Sequence, residues 1–78
     1  MTTTANTLAA AQAAYDHAHA VMNAAIEAAL SLSMYGPNPV TWYEICEAHR
    51  VAGVATWDFY DAADALRAAR GLPRHASL

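Results

Sequence analysis

From Ala5 to Met34 the chain runs thirty residues without a glycine or a proline, and alanine fills 12 of those positions. Nothing else in the sequence constrains the fold as strongly. Alanine has the highest helix propensity, and no residue here breaks the pattern, so one long helix is expected over residues 5–35. It ends at Tyr35-Gly36-Pro37-Asn38-Pro39, where Gly36 suits a left-handed cap and two prolines forbid continuation, making residues 36–40 a turn. Thirty helical residues extend about 45 Å, whereas a compact chain of this length has a radius of gyration of roughly 11–12 Å. One end must protrude or meet a partner.

The helix has a seam suited to such a meeting. Leu8, Tyr15, Met22 and Ala29 recur every seven residues, with Ala11, Ala18, Ala25 and Leu32 three positions further on. This a/d pattern sets larger residues on one row and mostly alanine on the other, so two helix backbones can come close. The seam could pack on the remainder of its own chain, but two short helices would cover only part of its length. The favoured expectation is therefore a homodimer held by Leu8, Tyr15, Ala18, Met22, Ala25, Ile26, Ala29 and Leu32.

Beyond the turn, Thr41-Trp42-Tyr43-Glu44 has the spacing of a capping box and opens a short helix over 41–50, with Trp42 and Ile45 on one face. Val51-Ala52-Gly53-Val54-Ala55 interrupts the pattern as a turn. Thr56 then caps a third helix over 56–70, with Asp58 near its positive end and Gly71 as its stop. Phe59, Ala62, Ala63, Leu66 and Ala69 define the buried face of that helix. Residues 73–78 read as a frayed tail. The expected fold is all-α: a single domain over 1–78, with one long N-terminal helix and a short helical pair, dimerising through the long helix.

At 78 residues a chain buries only about 60% of its unfolded surface and has little room for a catalytic cleft. An enzyme is not expected. The hydrophobic fraction of 56% looks high, yet 21 residues are alanine, against 16 of Val, Ile, Leu, Met and Phe combined. The most apolar stretch, Ala18 to Tyr35, is interrupted by His19, Asn23 and Glu27, which argues against a membrane span. Met1 to Thr7 lacks the basic segment of a secretory signal, and the single cysteine, Cys46, cannot form an internal disulfide, so a cytoplasmic protein is expected.

Metal and cofactor chemistry are not expected either. His17 and His19 lie two apart and point roughly 200° away from each other on a helix, so they cannot share an ion. Cys46 and His49 have the three-residue spacing of a thiolate pair, but no orienting group accompanies them. Cys46 reads as a buried structural thiol beside a surface histidine. No phosphate-binding, dinucleotide-binding or zinc-finger motif occurs. Five of the seven aromatics, Trp42, Tyr43, Trp57, Phe59 and Tyr60, fall within 19 residues, most of them expected in the core and one of Trp57 and Tyr60 outside it.

Ala52-Gly53-Val54-Ala55-Thr56, continuing through Ala62, Ala65-Leu66-Arg67 and Arg70-Gly71-Leu72, resembles the turn and recognition helix of helix-turn-helix and winged-helix regulators. The likeness spans about residues 42–72, and nothing after Leu72 is long enough for a wing. In size and composition the chain is also similar to small orphan proteins of phages that infect high-GC bacteria. In such regulators the first turns of the recognition helix meet DNA; the matching exposed positions here are Trp57, Asp58 and Asp61.

Charge separates the two functions this implies. Four arginines, no lysine and seven acids leave a net charge of −3, the wrong sign for a field that draws nucleic acid. The first expectation is a homodimeric regulatory or adaptor protein that presents Trp57, Asp58, Tyr60, Asp61 and Arg67 to a protein partner with a basic or amphipathic contact patch. The alternative is a dimeric DNA-binding regulator that sets Arg50, Arg67, Arg70 and Arg74 on phosphates.

Overall fold

The computed structural model describes residues 3–72, and these form an antiparallel hairpin of two long helices packed against each other. Helix α1 spans Thr3–Ser31 and helix α2 spans Trp42–Ala69. Helix α1 therefore stops a few residues before the expected end at residue 35. Ser31 turns its hydroxyl back onto the Ala28 carbonyl at 2.9 Å, and the Tyr35 N–H donates to Ser33 Oγ at 3.0 Å. The Val40 N–H donates to the Ser33 carbonyl at 2.9 Å and closes the connection, with Gly36 inside it at φ +97°. The left-handed glycine is thus a loop residue and not the cap of α1.

Both ends of α2 are specified locally. The Glu44 N–H donates to Thr41 Oγ1 at 3.1 Å while the Thr41 N–H donates to Glu44 Oε2 at 2.8 Å, the reciprocal bonds of a capping box. At the other end the Leu72 N–H reaches the Arg67 carbonyl at 2.8 Å and the Gly71 N–H reaches the Ala68 carbonyl at 3.0 Å. That is a Schellman motif, and it uses Gly71 at φ +76°.

Between these ends the expectation of two short helices fails. Residues 42–69 are one uninterrupted helix, so the helix at 41–50, the turn at 51–55 and the helix at 56–70 merge, and no short helix-turn-helix pair is present. Gly53 keeps a helical backbone, and the Thr56 hydroxyl donates to the Ala52 carbonyl at 2.8 Å instead of capping a new helix. An interior glycine costs about 1 kcal/mol against alanine. Breaking there would leave two pieces near or below the roughly 12–15 residues at which an isolated helix becomes marginal. Continuing is cheaper than starting again.

The seam of α1 is turned toward this second helix. Tyr15, Ala18, Met22, Ala25, Ile26 and Leu32 are half-buried and Ala29 is buried, while Leu8 keeps 37% of its surface exposed. Across from them lie Ala52, Ala55 and Leu66, all buried; Leu66, at 5% exposure, is the one buried residue larger than alanine among the described residues. The face expected from Phe59, Ala62, Ala63, Leu66 and Ala69 does point inward. Phe59 sits between two rings of α1, with centroids 5.1 Å from Tyr15 and 5.3 Å from His19, and these two stack at 6.2 Å. At the open end, Arg70 Nη2 donates to Gln12 Oε1 at 2.9 Å, and Gln12 in turn donates to Asp16 at 3.0 Å.

The result is a single layer of helices. Its extents are 57 × 25 × 13 Å and its radius of gyration is 16.7 Å. The exposed surface is 5806 Å², whereas a compact monomer of this mass shows about 4,600 Å². Among the described residues the hairpin has an inside edge but no third element to cover its faces.

Candidate protein-interaction surface

The large apolar side chains that a thicker domain would bury lie mainly on the outside of α2. Trp42, Tyr43, Val54, Trp57 and Tyr60 are all exposed, Trp57 at 68%. This corrects the expectation that most of the aromatics form a core, since Phe59 alone of the five is half-buried. Trp57 and Tyr60 lie about 200° and 140° around the helix from the buried Ala55, which turns both away from α1. The outward face of α1 carries alanines and polar side chains such as Asp16, His17, Asn23 and Glu27, with Val21 and Leu30 its most exposed large apolar residues.

On α2 the exposed aromatics are ordered with respect to one another. The Trp57 indole meets Tyr60 edge-on at 6.0 Å, and Tyr60 contacts Phe59 at 6.0 Å, which links the surface pair to the ring cluster inside. Asp58 and Asp61 are exposed beside them and Arg67 is half-buried. The five residues singled out from sequence thus lie on one helix, four of them at the surface. Trp42, Tyr43 and Gly53 also belong to this outer surface; the first two could have been found from sequence only once residues 42–69 were known to be continuous.

Gly53 faces open space, and a methyl group added there would have no neighbour within 4 Å. Cys46 is exposed and free, contrary to the expected buried thiol, because the continuous helix turns it away from α1. Two open grooves flank the helix. One, of about 410 Å³, lies at the open end among Tyr15, Phe59, Tyr60, Leu66, Arg67 and Arg70. The other, of about 390 Å³, is lined by Asp61, Asp64, Ala65 and Ala68.

Among the described residues the arginines do not gather into one patch. Arg50 Nε donates to Glu47 Oε1 at 3.0 Å, with Nη2 on the same carboxylate, and this hydrogen bond holds the Glu47 carboxyl below the usual carboxylate range. Arg67 and Arg70 lie about 25–30 Å further along the helix, and Arg70 is engaged with Gln12. Arg74 lies outside the described residues. Among the described residues, no three His, Cys, Asp or Glu side chains are placed to hold a metal ion, and His19 is occupied by Tyr15, Phe59 and Asn23. Among those residues no helix is long and apolar enough to cross a membrane. No protein-family model, curated protein or solved structure matches the chain.

Proposed function

We propose that this chain is a small regulatory or adaptor protein that works by protein–protein contact through the outer face of α2. The observation that carries the reading is the placement of Trp57 and Tyr60, two mutually packed aromatics exposed on a one-layer hairpin that has no third element over them among the described residues. Exposed aromatics flanked by charged groups are the usual anchors of an interface. Asp58 and Asp61 favour a basic or amphipathic contact patch on the other side. The DNA-binding alternative needs a separate recognition helix, whereas Arg50 and Arg67 lie on one continuous α2, about 25 Å apart along it.

Site-specific photocrosslinking tests this reading. A benzophenone side chain at position 57 or 60 of the full chain, expressed in cells, should yield covalent adducts to a polypeptide. The same group at Ala20 or Ala24, on the outward face of α1, should yield few. Equal yields at all four positions, or none at any, would defeat the proposal.

A further inference from the structure

We infer that the outer face of α2 is built for a second copy of this chain, docked antiparallel across a two-fold axis level with Ala55. The inference rests on the reading of that face as a protein contact and names its occupant. Three observations point to it.

The first is Gly53. A glycine in the middle of a 28-residue helix lowers helix propensity, and nothing in the hairpin requires one, since the space where its side chain would stand is empty. Close approach of another backbone or of a large side chain would require it. The second is uncovered apolar surface: Trp57 at 68% and Tyr60 at 44% exposure stand on this face with nothing in the hairpin over them.

The third is complementarity, which selects one register. With the axis at the level of Ala55, a residue n faces residue 110 − n of the second copy, and each contact occurs twice, as two-fold symmetry demands. Trp57 then lies over Gly53 of the second copy, its ring filling the space that the glycine leaves open. Asp61 faces His49, and Tyr60 faces Arg50. All these side chains lie on the exposed side of α2. A parallel pairing would set Trp57 on Trp57 and Asp61 on Asp61, with the helix dipoles aligned, and like charges directly opposed are unfavourable. Moving the antiparallel axis to Gly53 would place Trp57 on His49 and leave the two glycines facing each other across a void.

The test uses the full chain in sedimentation and light scattering from about 1 to about 100 μM. The unmodified protein should be a dimer, twice the 8.3 kDa chain mass. Gly53→Leu should preserve or increase the helix content seen by circular dichroism while weakening the dimer at least about tenfold, and Trp57→Ala should weaken it by a similar factor. Register is read by oxidation. Asp64→Cys places a thiol opposite Cys46 of the second copy, and should give a covalent dimer. The two thiols cannot bridge within one chain, because 18 residues of helix separate them by about 27 Å. Equally efficient cross-linking of the unmodified protein through Cys46 alone would indicate the parallel pairing and overturn the inference. So would a Gly53→Leu dimer as tight as the original.

A monomer at all concentrations also overturns it. If position 57 still crosslinks to a different polypeptide, the proposed function stands without the self-pairing; if it crosslinks to nothing, both fall.

Discussion

Replacing Leu66 with alanine tests whether the α1–α2 contact holds the hairpin together. Leu66 is 5% exposed, and every other buried residue among those described is an alanine. The substitution removes three carbon atoms; at about 0.8 kcal/mol for each buried CH₂, the transfer loss is about 2.4 kcal/mol. The cavity contribution should be small, since Leu66 already borders the open groove beside Tyr15 and Arg70, and neighbours can settle into the space. A total near 3 kcal/mol follows, against a stability of about 4–12 kcal/mol for a chain of this length. At 4–8 °C per kcal/mol, the midpoint of thermal unfolding should fall by roughly 12–24 °C. Circular dichroism melts at one fixed protein concentration measure this, because self-association also moves the midpoint. Leu30→Ala is the control: Leu30 is 73% exposed and its loss should cost about 0.5 kcal/mol or less. A Leu66→Ala change no larger than the control would refute the packing described here.

Thr41→Ala removes the acceptor for the Glu44 N–H and should lower stability by about 1 kcal/mol in urea titration, with fraying confined to the first turn of α2. The Glu47 carboxyl titrates below its ordinary range because of Arg50, so its contribution to stability is present at neutral pH and is lost as the pH falls through the folded-state value. In a carboxyl-resolved NMR titration, Arg50→Gln should move the Glu47 midpoint upward; an unmoved midpoint would mean that the ion pair does not persist in solution.

Features encoded within a few residues were legible without the structure. Thr41 and Glu44 were recognisable as a reciprocal cap, and Gly71 as a left-handed stop, because a cap depends on three or four neighbouring residues and on little beyond them. The seam of α1 was legible for the same reason, since a period of seven residues states which side chains share a face. What covers that face was not legible. Tyr15, Ala18, Met22 and Ala25 are equally suited to a helix of their own chain and to one from another copy. The choice turned on the length of the second half of the chain, and that length depended on Gly53. A lone glycine costs about 1 kcal/mol in a helix, a penalty that long-range packing of Ala52, Ala55 and Phe59 against α1 outweighs. Reading residues 51–55 as a turn halved α2 and placed the aromatics in a core that does not exist. The candidate surface was partly visible, because Trp57 and Tyr60 stand three residues apart on any helix, whichever partner that helix has.

The alanine lining between the helices has a thermal consequence. The heat capacity of unfolding follows the apolar area newly exposed, at about 0.45 cal/mol/K per Å², and ordinary domains reach about 12–15 cal/mol/K per residue. Methyl groups at Ala29, Ala52 and Ala55 hide little such area, and one leucine adds only modestly to it. The hairpin's free energy should therefore vary with temperature along an unusually flat curve, with cold unfolding displaced far below freezing. Covering the outer face of α2 would steepen that curve, so that the curvature itself reports how much of the protein's apolar surface is shared with another molecule.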